Sequence, residues 1–184
     1  MCALYILVLL LVAVVTAQSK PAPASENGAA IVVNNCSFLV YYKSVGNHTV
    51  LLSIIAPGDS YIETYRLNIV NRTLNPDGTV DGTLGSVSIK LASNQTIGEA
   101  ANESDAFDAS IITQFEYTYN PNRSPRLWYD VSNVNGYLNL SESSWPFDIY
   151  RGLNITGTSS EYPTLVCPPD NATCSAAYTH WDDN

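Results

Sequence analysis

The chain has 184 residues, of which 46% are hydrophobic and 14% are charged, and its formal net charge is −9. This length suits one domain and hardly two, and the composition describes an ordered globular chain. The acidic balance argues against a nucleic-acid partner, whose phosphates need Lys and Arg, and against an anionic membrane surface.

The N-terminus is an apolar run that ends in small residues. Val15-Thr16-Ala17 fits a small-x-small cleavage site, and the run is too short to span a bilayer as a helix. We therefore predict a signal peptide over residues 1–17, although the run has no N-terminal Lys or Arg, and an uncleaved anchor is the alternative. Residues 18–28 are predicted to be a Pro/Ala/Ser linker.

Glycosylation sequons are more frequent than chance predicts. The chain has 17 Asn and 33 Ser plus Thr, so 17 × 33/184, or about three, Asn-x-Ser/Thr motifs are expected. Pro125 after the motif at Asn122, and a strand-rich setting at Asn35, make those two weaker candidates. The excess predicts a eukaryotic secreted glycoprotein, with turn-rich composition as the alternative explanation. The nine predicted sites are Asn35, Asn47, Asn71, Asn94, Asn102, Asn122, Asn139, Asn154 and Asn171.

The cysteines give an odd count once the leader is removed. Cys2 leaves with the signal peptide, and Cys167 and Cys174 enclose a short loop that suits a disulfide. Cys36 is therefore predicted to be unpaired within the chain: a buried thiol, an interchain bond, or a cysteine whose partner lies beyond residue 184. No CxxC motif occurs and the two histidines lie far apart, so we predict no metal and no cofactor.

Alternating apolar and polar residues predict strands along most of the chain, and no helical period is long enough to compete. Residues 71–85 and 93–109 are rich in turn-forming or polar residues and are predicted to be loops. The implied fold is an all-β, antiparallel β-sandwich over residues 29–184. The predicted strands lie within residues 29–35, 37–45, 48–56, 60–70, 86–92, 111–120 and 126–132.

Two acids on polar strand faces are the best candidates for chemistry. Glu116 and Asp130 lie on successive predicted strands whose short connection allows antiparallel pairing. Two carboxylates on one face could lie within the distance that glycosidases use, and Lys90 could join them. The alternative is an ordinary polar face in an acidic protein. Nucleophilic catalysis has little support, because His48 lies in a sequon and His180 lies in the last five residues.

Several stretches resemble the thaumatin-like proteins, and more closely their small fungal branch, the yeast-phase-specific secreted antigens. The most specific stretch is "WYDVSNVNGY", and the second is the early Asn-Asn-Cys of "AAIVVNNCSFLVYYKSVG". Other similar stretches are "IAPGDSYIETYR", "VSIKLAS", "ITQFEYTYN", "PFDIYRG" and "CPPDNATCSAAYTHWDD", in the order of the family.

The resemblance implies a β-sandwich with a surface cleft. In larger members of the family the cleft is acidic; some members bind β-1,3-glucans, and a few are reported as weak glucan hydrolases. By motif, Glu116 matches the cleft glutamate, Asp130 matches a cleft aspartate, and Lys90 falls near the cleft arginine. Larger members also carry a disulfide-rich second lobe, for which this chain has too few cysteines, so the cleft is expected to be shallow.

Three functions follow as hypotheses. The first is a secreted, non-enzymatic antigen or effector that contacts cell-wall β-glucan through Lys90, Glu116, Trp128 and Asp130. Trp128, with Trp145 and Tyr137, could stack on sugar rings, although ordinary packing of aromatics is the simpler alternative. The second is a weak β-1,3-glucan hydrolase with Glu116 as acid and Asp130 as nucleophile or base. The third is a structural β-sandwich without sugar affinity.

Overall fold

The computed structural model describes residues 4–9, 28–77, 80–93, 112–123, 126–133, 152–157, 164–169, 174–175 and 177–178. Within these ranges the protein is all-β and contains no helix. The strands in chain order are β1 (Leu4–Leu9), β2 (Ala29–Asn34), β3 (Val40–Val45), β4 (Val50–Ile55), β5 (Ser60–Thr64), β6 (Asn68–Leu74), β7 (Val80–Gly85), β8 (Val87–Ser93), β9 (Thr113–Tyr119), β10 (Leu127–Ser132), β11 (Leu153–Gly157), β12 (Leu165–Cys167) and β13 (Ala177–Tyr178).

Two sheets form the sandwich, as the sequence predicted. One has five strands in the order β12-β11-β1-β2-β5, and the other has six in the order β13-β10-β9-β8-β3-β4. The pairs β1–β11 and β10–β13 are parallel, and the other pairs in the two sheets are antiparallel. Strands β6 and β7 form a separate two-stranded sheet.

The core lies between the two sheets and follows the alternation of the strands. Val32 and Ile155 of the five-stranded sheet are fully buried in one cluster with Val40, Ile89 and Phe115 of the six-stranded sheet. Alternate residues of a strand point to opposite faces, so each strand gives one set of side chains to this layer. The other set of β8, β9 and β10 forms the outer face that carries the candidate site.

A buried carboxylate joins the two sheets at β5. Glu63 accepts hydrogen bonds from Ser44 (2.5 Å) and Tyr117 (2.6 Å) of the opposite sheet, and from Tyr61 of its own strand (2.7 Å). Arg66 forms an ion pair with the same carboxylate at 2.5 Å and also donates to Ser44 at 3.1 Å. Because several donors and a cation surround Glu63, its burial leaves the charge compensated.

A buried asparagine fixes the bend between β2 and β3. The Asn34 side chain donates to the carbonyls of Phe38 and Ile55, both at 2.8 Å, and accepts from the Cys36 amide at 2.9 Å. Asn35 beside it is exposed. The Asn-Asn-Cys stretch is therefore a structural corner in which only the first asparagine is buried.

The predicted loop over residues 71–85 is wrong, because most of it belongs to the hairpin formed by β6 and β7. Five residues, 75–79, connect the two strands. Alternation of apolar and polar residues did not reveal these strands, because the hairpin lies outside both sheets and buries no regular apolar face. The second predicted loop, over residues 93–109, lies outside the described residues apart from Ser93, which ends β8.

The N-terminal segment contributes a central strand in the full-length chain. β1 lies between β2 and β11, and Ile6 is fully buried. The structure is that of the chain before any cleavage, so the signal peptide over residues 1–17, the linker over 18–28 and the domain start at residue 29 stay predictions.

The cysteines in the described part of the chain are all disulfide-bonded. Cys167 and Cys174 form the expected disulfide, with their Cα atoms 5.3 Å apart. Cys36 is also disulfide-bonded in the uncleaved chain. The sequence analysis predicted an unpaired Cys36 for the chain without its leader, and for that chain the unpaired Cys36 stays a prediction.

Candidate functional site

The candidate site lies on the outer face of the six-stranded sheet, across β8, β9 and β10. Leu127, Val131 and Phe115 point into the core, so the residues between them point outward. This alternation places Glu116, Asp130 and Trp128 on one face, as the sequence predicted.

Glu116 and Asp130 are direct cross-strand partners in the antiparallel ladder of β9 and β10. Directly opposed residues have Cβ atoms about 4.5–5.5 Å apart, so the two carboxyl groups share one small region of the surface. Like charges at such positions destabilise a sheet. The pair is therefore a local cost to the fold, which distinguishes it from the isolated acids of a solvated strand face.

The surroundings of the pair favour a bound proton. Burial, and then the charge of Glu116, raise the pKa of Asp130 from 3.8 to about 6. Burial also raises the pKa of Glu116, while a hydrogen bond from Ser88 and the positive charge of Lys90 oppose that rise. The Ser88 hydroxyl has one proton, which it can give to Glu116 or to Gln114 Oε1 at 3.0 Å.

Asp130 also carries an unmet hydrogen-bonding capacity. Its Oδ1 atom is buried and has no hydrogen-bond partner among the described residues. Buried polar atoms in folded proteins are nearly always paired, and a buried unpaired acceptor costs about 1–3 kcal/mol. The unpaired oxygen adds to the cost of ionising Asp130, which agrees with the raised pKa of this carboxyl.

The neighbours of the acidic pair differ on its two sides. Trp128, two residues before Asp130, is 41% exposed. On the other side Gln114 and Ser132 are buried, although they lie on the same outer face. Lys90 pairs with Gln114 on β9 and with Lys43 on β3. The accessible part of the face is thus an exposed indole beside two half-buried acids, with a lysine one register row away.

This arrangement suits the recognition of hydroxyl-rich, uncharged ligands. Carboxylates accept hydrogen bonds from hydroxyl groups, and an exposed indole offers a flat apolar surface to a ring. Within the described part of the chain, no group of three or more His, Cys, Asp or Glu residues could hold a metal ion. Those same residues contain no helix that is long and apolar enough to cross a membrane.

The predicted sequons fall into three groups. Asn35, Asn47, Asn71 and Asn122 are exposed, whereas Asn154 is half-buried in β11. Four sequons, the two aromatics Trp145 and Tyr137, and His180 lie outside the described residues; those sequons are Asn94, Asn102, Asn139 and Asn171. His48 is exposed, and its carbonyl accepts a hydrogen bond from Arg66 at 2.9 Å.

The comparisons with known proteins agree with the resemblance that the sequence predicted. The family model described as Bys1, Blastomyces yeast-phase-specific protein, matches residues 17–178, and the chain belongs to this family. A similar curated protein is the secreted thaumatin-like protein calA of Emericella nidulans, which is 28% identical over 164 residues, or 89% of this chain and 76% of calA. No solved structure matches the chain.

These findings define a fungal thaumatin-like protein with an all-β core. The secretion of calA agrees with the predicted leader, and we place this protein outside the cell as well.

Sequence reasoning missed the polar contacts around the acidic pair and in the core. Ser88 and Gln114 lie in predicted strands, but their link to Glu116 needs the register of β8 against β9. Glu63 was not singled out either. The available signal was the alternation of Tyr61, Glu63 and Tyr65, which places two tyrosine hydroxyls on the same face as the acid.

Proposed function

We propose that this protein is a non-enzymatic, secreted glycoprotein that contacts cell-wall β-glucan through the outer face of its six-stranded sheet. The observation that carries the proposal is the pair of opposed, half-buried acids, Glu116 and Asp130, on the same face as the exposed Trp128. A neutral polysaccharide offers both a hydroxyl for the first group and a ring face for the second. Glu116 and Lys90 lie on the same face and would set the orientation of the bound polysaccharide.

Retention on insoluble β-1,3-glucan tests this proposal. Trp128→Ala and Asp130→Asn should each weaken retention by about tenfold, which corresponds to the loss of one good polar or stacking contact. The matched control is Ile62→Ala, because Ile62 is 61% exposed on the outer face of the other sheet. No retention of the wild type would contradict the proposal and leave a structural β-sandwich without sugar affinity. Equal loss with the control would contradict the assignment of the face.

A weak glucan hydrolase is the second candidate, and the opposed acids with a raised pKa at Asp130 favour it. Catalysis would use one acid of the pair as the proton donor and the other as nucleophile or base, and a raised pKa suits the donor. Release of reducing sugars should fall to background in both Glu116→Gln and Asp130→Asn, and release that survives in both variants would exclude this site.

A further inference from the structure

The hairpin of β6 and β7 is the least supported part of the described fold. It pairs with neither main sheet, and a lone two-stranded sheet is marginal in water. Its connection to the sandwich runs through Asn68, which accepts from the Asn47 amide at 2.9 Å and donates to the Ser86 carbonyl at 2.6 Å. The hairpin therefore needs a further source of protection.

Three apolar side chains in or beside the hairpin are partly exposed. Leu67 is 37% exposed, Val70 is 38% exposed and Leu84 is 37% exposed. Val70 and Leu84 lie on opposite faces of the hairpin, because Leu84 pairs with Ile69 while Val70 pairs with Thr83, so apolar side chains are exposed on both faces. In the described part of the structure, more than a third of each of these three residues is exposed to solvent.

Two exposed sequons lie at the same element. Asn47 contacts β6 through its amide, and its side-chain nitrogen lies 3.3 Å from the Leu67 carbonyl. Asn71 follows Val70 directly, at an irregularity in the β6–β7 register, and has a φ of 53°. Asparagine tolerates this left-handed conformation better than most residues, and the exposed side chain leaves room for a sugar.

The sequon at Asn154 has the opposite setting. β11 lies between β1 and β12, and Asn154 pairs with a residue on each side. Its side chain is half-buried, and its Oδ1 atom is buried without a hydrogen-bond partner among the described residues. Leu153 and Ile155 are buried in the core, so Asn154 points to the outer face, where its half-buried side chain leaves less room for an oligosaccharide than the exposed Asn47 and Asn71 have.

We infer that Asn47 and Asn71 carry N-linked glycans that cover the apolar side chains of the β6–β7 hairpin, and that Asn154 carries none. The glycans shield this hairpin from solvent, as neighbouring strands shield the strands of the two main sheets. The inference rests on the proposed secreted glycoprotein, but not on glucan contact, because it concerns a different surface.

Glycopeptide mass spectrometry of the protein from a glycosylating fungal host tests the occupancy. The variants Thr49→Ala and Thr73→Ala remove the sequons at Asn47 and Asn71 while keeping both asparagines, so the backbone at Asn71 is undisturbed. Each should remove one glycan from the intact protein, whereas Thr156→Ala should remove none. Thr73→Ser keeps the sequon and is the matched control. A glycan on the Asn154 peptide, or none on either of the other two, would overturn the inference.

Binding of the dye ANS (8-anilinonaphthalene-1-sulfonate) tests the covering role separately. The double variant Thr49→Ala/Thr73→Ala should bind several times more dye than the wild type, because Leu67, Val70 and Leu84 become accessible. The variant with Val70→Ser and Leu84→Ser added should return to the wild-type level. Equal dye binding by the wild type and the double variant would overturn the covering role.

Discussion

At the scale of single residues, Asp130 lies in an environment that is unusual for an aspartate. It lies opposite another acid, one of its oxygens is buried without a partner, and its pKa rises to about 6. Burial is the first cause, and the charge of Glu116 is the second. A group in this state destabilises the folded protein when it is ionised, which is typical of residues kept for binding or catalysis.

The pH dependence of stability should therefore change when Asp130 is neutralised. Well below the ordinary pKa of 3.8, the carboxyl is protonated in both the folded and the unfolded chain, so it costs nothing. Between pH 4 and pH 6 the unfolded chain ionises first, and the stability that the raised pKa provides at low pH is lost. Asp130→Asn should thus be more stable than the wild type at pH 7, by about 1 kcal/mol after screening is considered, and nearly equal at pH 4.

Urea unfolding at the two pH values measures this difference. Glu116→Gln is the companion variant, and it should give part of the same gain at pH 7 because it removes the second cause of the raised pKa. A variant Asp130→Asn that is less stable than the wild type at pH 7, or that gains equally at both pH values, would contradict this description of the pair.

Another residue-scale result concerns the two faces of β5. Ile62 is 61% exposed while Glu63 beside it is buried. A hydrophobicity pattern alone would bury the isoleucine. The tertiary structure reverses this order because Tyr61 and Tyr117 donate hydrogen bonds to the Glu63 carboxylate and Arg66 neutralises it.

At the scale of elements, the Glu63 cluster is the polar link between the two sheets. Its donors come from β3, β5 and β9, and burial together with the hydrogen bond to Glu63 raises the pKa of Tyr117 well above its usual range. The tyrosine therefore remains a donor at any ordinary pH. Because the contacts run across the core, we expect the cluster to fix the alignment of the sheets as well as to stabilise them.

Removing one member of this cluster should be costly. Tyr117→Phe deletes a hydrogen bond to a charged group and should lower the free energy of unfolding by about 1.5–3 kcal/mol. Glu63→Gln breaks the buried ion pair with Arg66 and should lower it by about 3–5 kcal/mol. Equilibrium urea unfolding of both single variants and the double variant gives the coupling energy between the two groups, expected at about 0.5–3 kcal/mol. Strict additivity would show that they do not act as one network.

The elements also show where sequence patterns succeed and where they do not. The strands that line the core alternate clearly, and β8, β9 and β10 lie where the sequence predicted them. The hairpin of β6 and β7 was missed because its strands are mostly exposed. Its stability depends on Asn68, whose bonds reach Asn47 and Ser86, and a contact of this kind leaves no periodic trace in the sequence.

At the scale of the whole molecule, the fate of the N-terminal segment decides how the sheet of five strands is completed. β1 is the common neighbour of β2 and β11 in the full-length chain. A leader that is cleaved after Ala17 removes this strand. β2 is antiparallel to β1 and β11 is parallel to it, so β2 and β11 run antiparallel and have the direction needed to pair with each other.

The cysteine count gives a direct test of cleavage. The full-length chain has four cysteines, and a chain that starts near Gln18 has three. Since Cys167 and Cys174 are bonded to each other, the cleaved protein should show one thiol per chain after denaturation without reductant, or run as a disulfide-linked dimer. N-terminal sequencing should find Gln18. A monomer without thiols that begins near Met1 would contradict the prediction of a signal peptide.

The sequence by itself determined the all-β class, the family resemblance, the secretory character, the Cys167–Cys174 bond and the shared face of Glu116 and Asp130. These features depend on local spacing, and a period of two residues is written in the chain. Only the tertiary structure decided that the two acids are direct partners, that Glu63 rather than Ile62 is buried, and that β6 pairs with β7. Those outcomes depend on which strands become neighbours and in which register, and a local pattern specifies neither.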